Sequence, residues 1–299
     1  MTAQIIDGKQ IAADIRAELK DEIAALKKRG IVPGLGVVLV GDDPASVSYV
    51  TGKERACEEI GIYSDDNRLA ADTSQEQLTA LIARMNKNPR IHGILVQLPL
   101  PRHLDESGVL LAIDPGKDVD GLHPVNVGNM VIGEKAFLPC TPHGVVQLLV
   151  RSGVTIEGAH VVVVGRSNLV GKPLANMLIQ KSPTGNATVT VCHTRTKDLA
   201  RYTRQADILV AAIGRPRTIT GDMVRDGAVV IDVGVSRVED ATKKSGYRLV
   251  GDVDFEAVKE KASLITPVPG GVGPMTITML LYNTVESAKR AVSPRASGR

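Results

Sequence analysis

Aromatic residues are scarce in this chain of 299 residues: there is no tryptophan, and there are only two phenylalanines and five tyrosines. Its cores must therefore be built from Val, Ile, Leu and Ala. No basic run with interleaved aromatics is present to stack nucleic-acid bases, so no nucleic-acid partner is expected. Cysteine is almost as rare. Cys57, Cys140 and Cys192 lie far apart and form no C-x-x-C pair, which argues against a disulfide framework or a cysteine-held metal site and suits a reducing compartment. No apolar run reaches 18 residues, and the opening MTAQIIDGKQ lacks a charged segment followed by a long apolar one. A cytoplasmic protein without membrane contact is expected, and no metal is called for. Charge of one sign is also missing, because 36 basic against 33 acidic residues leave +3, a balance that does not hinder anionic small molecules.

What the chain does have is hydrophobic periodicity. Hydrophobic residues make up 43% and charged residues 23%, an ordinary balance for a folded protein, and the length allows two domains. In DGKQIAADIRAELKDEIAALKKRG, Ile11, Ile15, Leu19, Ile23 and Leu26 recur at helical spacing between a capping Asp7 and a terminating Gly30. A strand over Leu35 to Val40 leads through a Gly-Asp-Asp-Pro loop into a second helix, SQEQLTALIARMNK reads as a third, and IHGILVQLPLP as a buried strand. The alternation resumes with GVVQLLVRSG, HVVVVG, VGKPLANMLIQK, ATVTVC, DILVAAIG and GAVVIDVG. Short Val/Ile runs of this kind suit strands buried on both faces, as in parallel sheets. The class is α/β. Boundaries fall near AFLPCTPHGVV, where Thr141 and Pro142 look like a helix cap and first helical residue, and near TPVPGGVGPMT, before a last helix MTITMLLYNTVESAKRA. Domains over 1–140 plus 276–299 and over 141–275 follow.

The stretch HVVVVGRSNLVGKPLANML carries Gly165, Ser167 and Gly171 as G-x-S-x-x-x-G, one residue longer than a strict dinucleotide fingerprint and with Ser in place of its middle Gly. An ordinary glycine-rich turn would look similar. Yet Gly165 permits the sharp turn, helix N-terminal N–H groups attract phosphate, and Ser167 can add a donor. After the next strand, where an NAD site wants an acid for the ribose 2′-hydroxyl, the chain places His193, Thr194, Arg195, Thr196 and Lys197, with Arg166 in the first loop. This favours NADP, whose 2′-phosphate needs cations.

In the first half, Tyr49, Lys53, Ala56, Cys57 and Ile60 share one helical stripe. A lysine there either snorkels to water or loses part of its hydration, with its pKa lowered toward the range useful for proton transfer. Gln97 sits at a buried-looking strand end between Val96 and Leu98, where a buried amide either caps neighbouring backbone or addresses another polar group such as a lysine. In DPGKDVDGLHP, Asp114, Asp118 and Asp120 either make turns or present a carboxylate to adjacent ring N–H donors. TPVPGGVGPMT, with three Pro and three Gly, is expected to be irregular and to lie against a flat ligand.

Together, YVTGK, VQLPLP, KDVDGLHPVN, PCTPHGV, VVVVGRSNLVGKPLA, DVGV and TPVPGGVGPMTITMLLYNT resemble the bifunctional methylenetetrahydrofolate dehydrogenase/methenyltetrahydrofolate cyclohydrolase family, in order from about residue 3 to 285. The resemblance implies two α/β domains with a cleft between them, the second a Rossmann-type NADP-binding domain. It implies NADP-dependent oxidation of methylenetetrahydrofolate and hydrolysis of the product to 10-formyltetrahydrofolate, in the one-carbon metabolism that serves purine biosynthesis. It further implies a homodimer. Lys53 corresponds to the family's catalytic lysine, Gln97 to the glutamine that holds it, Asp120 to the acid gripping the pterin edge, and Tyr49 to the tyrosine against the folate rings. Ser46, Val96 and Leu98 join the substrate set, as do Pro269, Gly270, Gly271, Val272, Gly273 and Pro274. Gly165, Arg166 and Ser167 correspond to the phosphate loop, with Thr194 and Val235 where many relatives carry Ser and Ile. The link KSPTGNAT is longer than usual around Ser182 to Asn186, and His143 is given no role. Two other readings use the same residues: an unrelated NADP-dependent carbonyl reductase with Tyr49 as proton donor, and a non-catalytic NADP-sensing module.

Overall fold

Helix caps and strand ends recur along the whole chain in the computed structural model, which describes residues 2–243 and 246–292. The chain divides into two compact units, one of residues 14–140 with those from 277 on, the other of the first 13 residues with 141–276. The start of the chain thus groups with the second segment, whereas the sequence pattern placed it with the first. The cause is pairing: β1 (Gln4–Ile5) runs parallel to β11 (Leu264–Ile265), with Gln4 opposite Leu264. A two-residue strand pairing across some 260 positions leaves no local signal.

Helix α1 (Gly8–Lys28), most of which lies in the first unit, is capped by Asp7, whose Oδ1 accepts from Lys9 N at 3.0 Å and Gln10 N at 3.1 Å. Ile15, Leu19, Ile23 and Leu26 are buried, as the spacing requires. A parallel sheet of order β3-β2-β4 is formed by β2 (Gly34–Val40), β3 (Tyr63–Leu69) and β4 (Gly93–Val96), connected by α2 (Pro44–Ile60) and α3 (Gln75–Lys87). Central β2 is buried along its length. Edge strand β3, YSDDNRL, escapes hydrophobic pattern reading because it is held by seven backbone pairings to β2 rather than by an apolar face. Helix α2 starts where Asp43 accepts from Ser46 N at 2.8 Å, and it stops at Gly61, whose φ of 82° suits glycine. Short helices α4 (Glu106–Ala112) and α5 (Pro124–Ile132) follow β4.

The six-stranded sheet of the second unit has the order β1-β11-β8-β7-β5-β6, all pairs parallel. It is made by β5 (His160–Val164), β6 (Thr188–Cys192), β7 (Ile208–Ala211) and β8 (Val229–Asp232) with β11 and β1. Here α6 (Cys140–Arg151) precedes β5, α7 (Gly171–Ile179) follows it, and α8 (Leu199–Thr203) follows β6. An antiparallel pair, β9 (Ser236–Glu239) and β10 (Tyr247–Val250), comes before α9 (Phe255–Lys259). Strands β5, β7 and β8 are buried as expected, but β6 is an edge strand with its side chains partly exposed.

Two helix starts differ from the sequence pattern. Helix α6 begins at Cys140, so Thr141 lies inside its first turn, hydroxyl to hydroxyl with Thr276 at 2.9 Å, rather than at its cap. The last helix, α10 (Val272–Val292), begins within the Pro/Gly segment expected to be irregular. Pro274 is tolerated because the first helical N–H groups have no intrahelical partner to lose. Among the described residues, no helix is long and apolar enough to cross a membrane, and no group of three or more His, Cys, Asp or Glu could hold a metal ion.

Candidate active site

Burial on α2 selects Ser46, Val50, Lys53, Ala56, Cys57 and Ile60, a stripe at helical spacing. Lys53 is 8% exposed, so it does not snorkel into water, whereas Tyr49 is 52% exposed and lies at the edge of the stripe rather than within it. A buried ammonium has to be satisfied. Its partner is Gln97: Lys53 Nζ donates to Gln97 Oε1 at 2.9 Å, while Gln97 Nε2 donates to Leu98 O at 2.6 Å. The second bond orients the amide so that its oxygen faces the lysine. Gln97 stands one residue past the end of β4, just after Val96, at the strand end where the pattern put it. The parallel pairing of β2 and β4 and the course of α2 bring both residues to one end of the sheet.

Burial lowers the pKa of Lys53, and the nearby carboxylate of Asp120 raises it in opposition. Asp120 is itself pushed up by burial and pulled back by the lysine's charge. The three loop acids differ in what they do. Asp114 closes a turn by accepting from Gly116 N at 2.7 Å. Asp118, 1% exposed, is used by Leu122 N, His123 N and Asn126 Nδ2 at 2.8–3.2 Å. Asp120 alone of the three faces the lysine. Its loop is pressed on β4, where Ile94 N donates to Lys117 O at 2.7 Å and a Cβ on Gly93 would stand 2.6 Å from a Val119 methyl.

Sequence reasoning missed two supports. Asn283 of α10 donates to Val119 O at 2.8 Å and to Leu138 O at 2.9 Å, holding the backbone directly before Asp120. Ser287, one turn on, donates to His92 O at 2.6 Å and Gly116 O at 2.9 Å. The only signal for Asn283 was a polar residue inside an otherwise apolar stretch, MLLYNT. Cys140 lies beside Asp120, its thiol pushed well up by burial.

In the other unit, Gly165 ends β5 with a φ of 139°, and a Cβ there would lie 2.1 Å from Ala212 O; one on Gly171 would lie 2.1 Å from Gly165 O. Only glycines allow the loop to fold this tightly. Arg166 and Ser167 are exposed, and Ser167 Oγ accepts from Val170 N at 3.1 Å, leaving its O–H to donate outward at the start of α7. After β6, His193 N donates to Thr196 Oγ1 and Arg195 N to His193 Nδ1, a turn that leaves Thr194 and Arg195 exposed. Val235, 47% exposed, follows β8 by three residues. Backbone donors at a helix start, a hydroxyl and two arginines fit the phosphates of NADP. The segment Pro269 to Pro274 belongs to this unit too; a Cβ on Gly8 would stand 1.9 Å from Gly271 O, so it packs on the first turn of α1. The link around Ser182 to Asn186 closes on itself through Gly185 N to Ser182 O and Asn186 N to Gln180 O.

The chain is similar to known proteins over nearly its whole length. Residues 6–120 match the family model "Tetrahydrofolate dehydrogenase/cyclohydrolase, catalytic domain", and residues 139–292 match "Tetrahydrofolate dehydrogenase/cyclohydrolase, NAD(P)-binding domain". It is 63% identical over 293 residues to the bifunctional protein FolD of Dehalococcoides mccartyi strain CBDB1, covering 98% of this chain and 99% of that one. Among solved structures, the bifunctional methylenetetrahydrofolate dehydrogenase/cyclohydrolase of Campylobacter jejuni shares 50% identity with a TM-score of 0.91, covering 96% of this chain and 99% of that one. The Trypanosoma brucei enzyme, solved with NADP cofactor and inhibitor, shares 44% identity with a TM-score of 0.92, covering 98% and 99%. The chain belongs to the tetrahydrofolate dehydrogenase/cyclohydrolase family.

Proposed function

We propose that Lys53, held by Gln97 and faced by Asp120, carries the proton transfer of the second of the two reactions that this chain catalyses. Those reactions are the NADP-dependent oxidation of 5,10-methylenetetrahydrofolate to 5,10-methenyltetrahydrofolate and its hydrolysis to 10-formyltetrahydrofolate. The observation that carries the reading is the buried Lys53–Gln97 hydrogen bond beside Asp120, in a chain matching both family domains.

Bound NADP supplies the hydride acceptor. Loss of hydride from the one-carbon bridge leaves the methenyl cation without any proton changing hands, so the protein's task in this step is to hold the substrate in register. Arg166, Ser167, Thr194 and Val235, around the turn at Gly165, would hold the cofactor. Hydrolysis is different. Water adds to the methenyl carbon and one of its protons leaves; the other passes to N5 as the bond from that carbon to N5 breaks and the formyl carbonyl forms. Lys53, when neutral, accepts a proton, and burial lowers the pH at which its neutral form becomes available. Gln97 fixes the amine, Asp120 supplies two acceptor oxygens to adjacent N–H groups of the pterin, and exposed Tyr49 offers a flat face to its rings. Ser46, Val96, Leu98 and Pro269 to Pro274 complete the substrate set in this reading.

Residues 14–140 with those from 277 on form the folate domain in this reading, and 141–276 with the first 13 the NADP domain. The enzyme is a homodimer in the cytoplasm, supplying one-carbon units for purine biosynthesis. Light scattering behind size exclusion checks the dimer by its mass. For the activity, purified protein is mixed with methylenetetrahydrofolate and either NADP or NAD while methenyltetrahydrofolate and NADPH absorbance are followed. An NADP-dependent rise in both is expected, and its absence refutes the reading.

A further inference from the structure

Two interlocked carboxyls lie beneath the loops at the carboxyl ends of β7 and β8. Asp232, the last residue of β8, and Asp252, two residues past β10, are 3% and 0% exposed. Asp252 Oδ2 accepts from Ile213 N at 2.5 Å and from Gly214 N at 2.9 Å, the turn just after β7. Asp232 Oδ1 accepts from Gly234 N at 3.0 Å and from Asp252 N at 2.9 Å, and its Oδ2 from Val253 N at 3.0 Å. Each carboxyl occupies the space a side chain would need on the other's neighbouring glycine. A Cβ on Gly234 would stand 2.1 Å from Asp252 Oδ1, and one on Gly251 only 1.8 Å from Asp232 Oδ2.

The turns held in this way are not arbitrary. Gly234 precedes Val235, and Ile213–Gly214 continues from Ala212, whose carbonyl oxygen packs so closely on Gly165 that only a glycine fits. In an open parallel sheet, ligands bind beyond the carboxyl ends of the strands, where these turns lie. Five backbone N–H groups from three segments therefore converge on two carboxyls. Asp252 Oδ1 is buried with no hydrogen-bond partner among the described residues, an arrangement that costs stability rather than adding to it. Core packing alone does not account for an acid left half-satisfied at this point.

We propose that Asp252 is a positioning residue for the dehydrogenase half-reaction, acting with Asp232 to lock the turns after β7 and β8 into one rigid floor for the nicotinamide end of the cofactor. The proposal rests on the reading of Gly165 to Ser167 and Val235 as cofactor-binding. Neither acid belongs to the folate set around Lys53, so the two activities are expected to separate under mutation.

The test uses the full chain with Asp252→Asn and, independently, Asp232→Asn. Cyclohydrolase is assayed directly on methenyltetrahydrofolate without NADP, dehydrogenase with methylenetetrahydrofolate and NADP, and NADPH binding by fluorescence titration. The ratio of the two rates in one preparation does not depend on the fraction folded. Asp252→Asn is expected to raise KM for NADP and lower the dehydrogenase-to-cyclohydrolase ratio, each by about tenfold, with cyclohydrolase KM unchanged. An unchanged ratio and unchanged NADPH affinity in both variants, whether both activities persist or fall together, overturns the proposal. A wild-type protein without NADP-dependent oxidation overturns the functional reading instead.

Discussion

Lys53 in one unit and Asp232 in the other are both buried ionisable side chains, 8% and 3% exposed, and they are treated in opposite ways. Asp232 receives three backbone N–H groups at 2.9–3.0 Å, so its oxygens are consumed in holding loops. Lys53 receives one neutral amide oxygen and the opposing charge of Asp120. A dense set of fixed backbone partners turns a buried charge into scaffolding. A single side-chain partner leaves it able to gain and lose a proton. The same contrast recurs between Asp118, saturated by its own loop, and Asp120 two residues later.

The largest effect expected from breaking this contrast is that of Lys53→Met, which keeps the apolar stem and removes the amine. Cyclohydrolase should fall by on the order of 10³-fold or more, and dehydrogenase turnover strongly, with the circular dichroism spectrum unchanged. Near-normal hydrolysis by this variant would remove Lys53 from the mechanism. Gln97→Glu sharpens the contrast by placing a carboxylate where a neutral oxygen stands 2.9 Å from Nζ. A negative neighbour favours the ammonium, so the rising limb of the cyclohydrolase pH profile should move to higher pH, costing about tenfold in rate at neutral pH for each unit moved. A profile that does not move means Gln97 does not tune the lysine.

A third, smaller effect is on stability. Burial pushes Asp232 up to about 7, against its three N–H donors. Its folded pKa thus stands above its unfolded one, so its stabilising contribution is full below the ordinary carboxylate range, near pH 4, and is lost as pH rises through about 7. Asp232→Asn is neutral throughout, and over that window its melting temperature should fall less with rising pH than that of the wild type. Parallel curves would contradict the assignment. The smallest effect is that of Tyr49→Phe, which keeps the flat face and removes the hydroxyl. Rates within about threefold of wild type are expected for a stacking ring, whereas a proton-donating tyrosine would lose orders of magnitude.

How much of this could be read from the sequence depends on the kind of interaction. The α/β alternation, the stripe carrying Lys53 and the tight glycine turn at Gly165 are local patterns, and the structure places them where the spacing indicates. The demand of a strand-end amide for partners left two outcomes open, and Gln97 realises both, its Oε1 accepting from Lys53 and its Nε2 donating to Leu98 O. What stayed hidden depends on long-range pairing or position in a sheet. Strand β3 is polar because it is an edge, and β1 shows itself only through β11. Asn283 steadies the Asp120 loop across 164 positions of sequence. The roles of Asp118 and Asp120 could not be separated by spacing, because the difference is which backbone N–H groups each one meets. Tyr49 showed the limit of a helical stripe, since a residue at its edge can share the pattern and still face solvent.

The central claim, that burial makes Lys53 a proton acceptor, is tested most directly by titrating its side chain. With lysine labelled at the carbon next to the amine, and the Lys53 signal assigned by its loss in Lys53→Met, NMR follows its ionisation in the intact protein. The account predicts a midpoint below the ordinary lysine range that rises in Gln97→Glu; a midpoint at or above that range in the wild type would contradict it.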